Sequence, residues 1–265
     1  MIQMIRSLWS AASGMKAQQM NVDTISNNLA NVNTTGFKKS RTDFEDLLYQ
    51  TVKSAGAPNS QGSQVPTGIQ VGHGVKVAAT QKMFGQGSLK STENPLDMAI
   101  KGDGFFQVQM PDGSVGYTRD GSFKLDSNGQ VVTSNGYLLQ PAVNLPANAQ
   151  NINVNEEGQV TYTEPGGNAI QQAGQIELAT FANPAGLKSV GQNIYKANAA
   201  SGQPAFGVPS QEGYGTIAQK FLETSNVQTV DSMTNMIAAQ RAYEINSKAV
   251  QTSDQMLQQA SNLKR

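Results

Sequence analysis

Residues 105–139 read FFQVQM PDGSVGYTRD GSFKLDSNGQ VVTSNGYLL, and this stretch decides the fold class of the middle of the chain. Four turn dipeptides, Asp112-Gly113, Asp120-Gly121, Asn128-Gly129 and Asn135-Gly136, recur at steps of seven or eight residues. Asp-Gly and Asn-Gly favour tight turns whose backbone twist matches that of antiparallel strands. Between them lie strand-like runs: Phe105–Val108, Tyr117–Arg119, Ser122–Leu125, Val131–Thr133 and Tyr137–Leu139. Further strands are expected at Ile152–Val154, Gln159–Thr163 and Ile176–Phe181. Residues 76–215 are therefore predicted to form a β-rich domain.

Outward from this region the pattern changes. The first 34 residues hold no Pro and one Gly, Gly14. Leu8, Met15, Val22 and Leu29 fall seven apart, and Ala11, Ile25 and Val32 lie three beyond members of that series, with Gln18 breaking it. This is a heptad-like stripe on a helix. Thr34, Thr35 and Gly36 supply a stop, with Gly36 suited to a left-handed cap. From Glu223 to Arg265 there is again no Gly and no Pro. Met236, Tyr243, Val250 and Leu257 repeat the seven-residue step, with Ala239 and Ala260 on the same seam. A second stripe, Ala238, Ala242, Ile245, Ala249, Met256 and Leu263, runs beside it. Thr224, Ser225 and Asn226 offer N-cap side chains. The expected fold class is α+β: an all-β centre flanked by N- and C-terminal helices, residues 1–34 and 224–265, that pair into a coiled-coil-like core domain.

Two connectors join these parts. Residues 35–75 contain Ser54, Gly56, Pro58 and Gly62 in a turn-rich segment with little to bury, expected to extend between subunits. A Gly/Pro-rich run, Ala199–Gly215, ends the β region, and residues 216–223 form the return connector.

Composition excludes several classes. Nineteen Lys and Arg balance nineteen Asp and Glu, and charged residues are 14% of the chain against about 25% in an average soluble protein. Ser, Thr, Asn and Gln number 90, so the surface is expected to be polar but uncharged. A zero balance argues against nucleic acid as a partner and against a polybasic membrane anchor. There is no Cys and only one His, His73, which leaves no thiol chemistry and a poor basis for imidazole catalysis. No apolar run approaches the 18 or so residues of a membrane span, so no membrane insertion is expected. Ser7, Ser10, Ser13 and Lys16 interrupt the start, unlike a secretory signal. The expectation is a cytosolic protein or one exported without a cleaved Sec signal.

Motifs with a chemical alternative all read more simply as structure. His73 sits alone between Gly72 and Gly74. Lys101-Gly102-Asp103-Gly104-Phe105 leads into a strand pattern, whereas a phosphate loop opens a helix. Asp126-Ser127-Asn128-Gly129 lacks the later ligands of a calcium loop. Asn33-Thr34-Thr35 reads as a helix terminus, and Glu156-Glu157 as a solvated turn. Lys38-Lys39-Ser40-Arg41, diluted by Asp43, Glu45 and Asp46, reads as a solvated face. No catalytic, cofactor-binding or metal residues are expected, and no enzyme.

The terminal stripes carry the functional signal. Each end is roughly 35–40 residues, about 50–60 Å of helix. A β region of about 140 residues is too small to cover both, and each buried Leu, Val or Met is worth about 1.5–3 kcal/mol. The simplest cover is neighbouring copies of the chain. The expected subunit-packing seam is Leu8, Met15, Val22, Ile25, Leu29, Val32, Met236, Tyr243, Val250 and Leu257.

Several strings then resemble one family. Ser26–Lys38 resembles the N-terminal signature of the bacterial flagellar rod and hook proteins. Ala99–Val108 and Tyr117–Phe123 are similar to the family's central strands. Glu223–Val227 and Arg241–Val250 resemble its C-terminal signature. Within the family the chain length, Phe44–Thr51 with the connector after it, and Thr252–Leu257 are most similar to the distal rod type, with the proximal rod and hook types as alternatives. The resemblance implies a structural subunit that polymerises helically into a hollow drive shaft across the periplasm. It implies self-assembly, contacts with proximal rod and hook-type axial proteins and with the bushing rings, and passage through the flagellar type III export apparatus.

Overall fold

A computed structural model describes residues 2–56, 66–166 and 169–262, with side chains from residue 6 onward. Pro58 and Gly62 of the connector and Leu263 of the second stripe lie outside the described residues. The chain divides into two compact units. One gathers the described parts of residues 1–29, 40–81 and 229–265, and the other residues 30–39 and 82–228. The fold is α+β, with terminal helices in contact and a β-rich centre.

The first unit is built on two helices, α1 (Ile2–Ala30) and α2 (Thr229–Asn262). Both sequences avoid Pro, and α2 also avoids Gly, so no residue breaks the backbone ladder. At 1.5 Å per residue they span about 44 and 51 Å. They run antiparallel. Ser7 Oγ lies 3.2 Å from Ser253 Oγ, Gly14 faces the Asn246 amide, and Gln19 and Val22 face Gln240, Tyr243 and Glu244. Gly14 is needed for close approach, because a Cβ there would lie 2.9 Å from Asn246 Nδ2.

Short strands lean on α1. Residues Ser40–Asp46 and Val75–Lys82 pair as a two-stranded sheet. Asn28 of α1 ties the first of these down with two 2.8 Å hydrogen bonds, its amide donating to Ser40 O and its Oδ1 accepting from Ser40 N. Ser13 Oγ accepts from Val75 N at 3.2 Å. Tyr49–Lys53 and Ile69–Gly72 form an antiparallel hairpin within the segment read as connector. Residues 40–53 and 69–81 thus group with the helices. The reason is tertiary: polar side chains of α1 supply partners for strand backbones, which local turn chemistry does not announce.

The second unit is antiparallel throughout. Its largest sheet runs Lys188–Gly191, Ile194–Lys196, Val115–Thr118, Phe105–Gln109, Leu138–Gln140, Val131–Thr133, Phe123–Leu125. Leu178–Thr180 pairs with both Phe105–Gln109 and Ala205–Gly207. Successive strand residues face opposite sides of a sheet, so Phe105 and Phe106 seed two cores. Phe106 packs edge-on against Phe123 at 5.2 Å, with Met98, Ile100, Leu139, Leu178 and Ile217 around them. Phe105 packs with Phe181 at 5.7 Å and Phe84 at 5.3 Å, beside Tyr117 and Tyr195. Gly113, Gly129 and Gly136 take positive φ as the turn dipeptides require. Gly121 serves differently: it packs where a Cβ would collide with the Met98 carbonyl.

Two local expectations are corrected. The C-terminal helix begins at Thr229, because Thr224, Ser225 and Asn226 are spent elsewhere. Thr224 Oγ1 donates to Ser88 O at 3.0 Å, Ser225 Oγ accepts from Val227 N at 3.3 Å, and the Asn226 amide donates to Met83 O and Gly85 O. Lys38, placed on a solvated face, is fully buried.

Candidate subunit-packing surface

Small side chains meet between α1 and α2, Ser7 against Ser253 and Gly14 against Asn246. Ala11, Ala17, Ile25 and Asn28 are buried on α1, and Ala239 and Ser253 on α2. Of the expected seam residues, Ile25 is buried. Leu8, Met15, Val22, Leu29, Val32, Met236, Val250 and Leu257 are half-buried, and Tyr243 is 41% exposed. An open cleft of about 360 Å³ lies between the helices beside Val22 and Tyr243.

The second α2 stripe is wet in the single chain. Ile245 is 66% exposed, and Ala238, Ala249 and Met256 are exposed while Ala242 is half-buried. Val230, Met233 and Ile237 form a further apolar strip on α2, all exposed. The sequence reading missed these three, although the 230, 233, 237 spacing is itself a helical signal. At 3.6 residues per turn, Val230, Ile237 and Ile245 lie on the side of α2 turned away from Ala239, Asn246 and Ser253. On α1, Trp9 and Met20 are exposed as well. On α2 Arg241 pairs with Glu244 at 3.0 Å, exposed on both sides, and such a pair contributes little. The unit thus presents ordered apolar surface whose burial is worth about 1.5–3 kcal/mol per large side chain.

The hairpin presents a second apolar surface. Tyr49, Val52 and Ile69 on its strands and Leu48 just before them are exposed. Ser54 and Gly56 follow, also exposed.

The β-rich unit holds a buried ionic cluster that no local pattern revealed. Lys38 Nζ donates to Glu223 Oε1 at 2.6 Å and to Gly85 O at 2.9 Å. Gly87 N donates to the same carboxylate oxygen at 2.7 Å. Gly36 N donates to Glu223 O at 2.8 Å. Arg119 Nη1 lies 3.7 Å from Glu223 Oε2, and its guanidinium sits 5.2 Å from the Phe105 ring centroid. Burial pulls the Lys38 ammonium below its ordinary value, against the opposing pull of Glu223. Burial does the same to Arg119, opposed by Glu223 and Asp103. Glu223 therefore ties residues 36–38 to residues 221–223 within the β-rich unit. Beside it, Lys82 Nζ donates to Lys38 O at 2.9 Å and lies 4.4 Å over the Phe37 ring.

The remaining singled-out residues stay apart. His73 is half-buried between two strands, and Glu156 and Glu157 are exposed. Asp126 accepts from Ser127 N at 2.7 Å within its own turn. Among the described residues no three His, Asp or Glu side chains gather as metal ligands.

Comparison with known proteins covers both ends and the centre. Residues 8–38 match the flagella basal body rod protein family, 99–162 the flagellar hook protein FlgE/F/G D1 domain, and 218–263 the flagellar basal body rod FlgEFG protein C-terminal family. The flagellar basal-body rod protein FlgG of Borreliella burgdorferi is 54% identical over 264 residues, covering 99% of this chain and all of that protein. The FlgG protein of Bacillus subtilis is 40% identical over 267 residues, with 99% of this chain and all of that protein covered. The flagellar hook protein FlgE of Helicobacter mustelae is 49% identical over 138 residues, 52% of this chain but 30% of that protein.

Proposed function

The chain belongs to the FlgG family of flagellar basal-body rod proteins, structural components of motility, and on that footing we propose that it polymerises helically as the distal rod subunit. As a rod protein it assembles with rod and hook proteins. In this reading the shaft is hollow, its inner wall is made of terminal helices, and it carries motor torque across the periplasm to the hook. The ring proteins surround it, and its subunits arrive through the flagellar type III export apparatus. Full-length coverage of the FlgG relatives, against 30% coverage of the hook protein, favours the rod over the hook.

The carrying observation is the apolar stripe of α2, exposed on the side away from the intrachain seam. A helix that keeps Val230, Ile237 and Ile245 in water gains by packing them against copies of itself. Non-closing contacts of this kind build helical polymers. The half-buried seam residues Leu8, Met15, Val22, Val250 and Leu257 then become fully covered in the same step. The hairpin and the connector containing Ser54, Gly56, Pro58 and Gly62 lie extended against neighbours and stiffen the shaft. The test is electron microscopy of the full chain under assembly conditions. Straight rods that are lost on Ile245→Asp support the reading. Normal rods from that variant contradict it.

A further inference from the structure

The β-rich unit contains a second feature that its own fold leaves incomplete. A cavity of about 560 Å³ is walled by Phe84, Phe105, Phe181, Asp103, Arg119 and Gln203, among others. Arg119 is only 3% exposed. Its Nε and Nη1 have no hydrogen-bond partner among the described residues, and neither has Glu223 Oε2. Buried polar groups are ordinarily paired, and an unpaired charged donor is costly. The buried carboxylate nearest to Arg119 is half committed: Glu223 Oε1 accepts from Lys38 Nζ and from Gly87 N, while Oε2 stands 3.7 Å from Arg119 Nη1, too far for a hydrogen bond and out of reach of Nε. Two buried cations therefore share one buried anion. Asp103 stands exposed on the same wall and acts on the guanidinium through its charge, but it supplies no hydrogen bond to Nε or Nη1. The Phe105 ring lies against Arg119, so the missing partner is an acceptor for its N–H groups.

We propose that this cavity is a socket for a carboxylate side chain of a second copy of the chain, with Arg119 as the recognising group. A guanidinium pairs with carboxylates through strong charge-assisted hydrogen bonds. An incoming carboxylate restores the balance that Lys38 and Arg119 together upset. The aromatic wall keeps the pair out of water, where it is worth more than at an exposed surface. Only the rod brings a second copy to this surface, so the socket rests on the rod assignment above. It goes beyond that assignment by placing a specific polar contact between β-rich units, separate from the helix stripes.

Site-specific photo-crosslinking in assembled full-length rods tests it. A photoreactive residue replaces Gln203 at the cavity wall, and in a parallel sample Ile245 on the α2 stripe. Isotopically heavy and light copies are mixed so that crosslinks between copies are recognised by mass. The expected result at Gln203 is a crosslink into an Asp- or Glu-bearing segment of another copy. Arg119→Gln leaves the Lys38–Glu223 pair balanced and is expected to lower that crosslink about tenfold. Arg119→Lys is expected to retain more of it than Arg119→Gln. Crosslinks from Gln203 that stay within one chain, or reach segments without acidic residues, overturn the socket. So does an Arg119→Gln yield equal to wild type. If Ile245 crosslinks between copies while Gln203 does not, the rod assignment stands and the socket falls. If no rods form, both fall.

Discussion

The two units bury their apolar residues in opposite ways. In the β-rich unit Phe106, Phe123, Leu139, Leu178 and Ile217 are almost completely buried around one core, and an aromatic cluster fills a second. In the helical unit the two helices meet through Ser7, Gly14, Asn246 and Ser253 and bury the small Ala11, Ala17 and Ala239, while Val230, Ile237, Ile245 and Trp9 face water. Large side chains stabilise a core by the area they remove from water. The β-rich unit thus buries its large side chains within itself, whereas the helical unit leaves several in water that the proposed polymer would cover. A subunit built this way can keep one part folded while the other stays ready to join a polymer.

The sharpest way to break this contrast is to charge the wet stripe. Ile237→Asp or Ile245→Asp puts an unpaired carboxylate on the face proposed to pack against other copies, at a cost of several kcal/mol per contact. Sedimentation velocity is expected to show loss of polymer. Urea unfolding of the β-rich unit, followed through its packed tyrosines, is expected to be unchanged.

The next test strikes the β-rich unit instead. Glu223→Gln leaves Lys38 and Arg119 buried without their carboxylate, and breaking such a cluster costs about 3–5 kcal/mol. The urea midpoint read from near-ultraviolet circular dichroism is expected to fall accordingly. The fluorescence of Trp9, the one Trp of the chain and a residue of α1, is expected to change little below that midpoint.

A smaller effect separates pH terms. Burial raises the Tyr195 hydroxyl to about 12 from 10.0. A folded-state value above the unfolded one gives stability that is fully present below pH 10 and lost as pH rises toward 12, worth about 2–3 kcal/mol. Lys38, whose value burial lowers, acts in the opposite sense on the approach to its ordinary value. The difference between wild type and Tyr195→Phe isolates the tyrosine. Tyr195→Phe is expected to flatten the loss between pH 10 and 12 and to leave stability at pH 7 nearly unchanged, as thermal unfolding in that pH series checks.

The smallest expected effect on the folded units comes from the connector. Deleting Ser54–Gln64 is expected to leave thermal unfolding of the β-rich unit within about 0.5 kcal/mol. The same deletion is expected to make the polymer more bendable or shorter-lived under the electron microscope. A large loss of stability would place the segment inside its own subunit's packing.

The helices and the β centre were legible because periodicity and turn dipeptides are local. The heptads and the lack of Pro announced α1 and α2, and Gly113, Gly129 and Gly136 took the positive φ that their turns demand. The intrachain seam was not legible in the same way. Hydropathy ranks Leu8 and Met15 above Ser7 and Gly14, yet two helices approach closely through small residues. Nor was Lys38. Its run of charges reads as solvated, and its burial depends on Glu223, 185 residues away in sequence. The strand pairing at residues 40–82 escaped notice because its anchors, Ser13 and Asn28, sit on a helix.

Amide hydrogen exchange on the dilute, unassembled chain tests the central contrast most directly. Helices that depend on partners open readily, because isolated helices are marginal in water. The account predicts exchange within seconds to minutes across residues 2–30 and 229–262, with strong protection for Phe105–Gln109, Val115–Thr118 and Leu178–Thr180. Helical ends as well protected as those strands, in a sample shown by sedimentation to be monomeric, would contradict it.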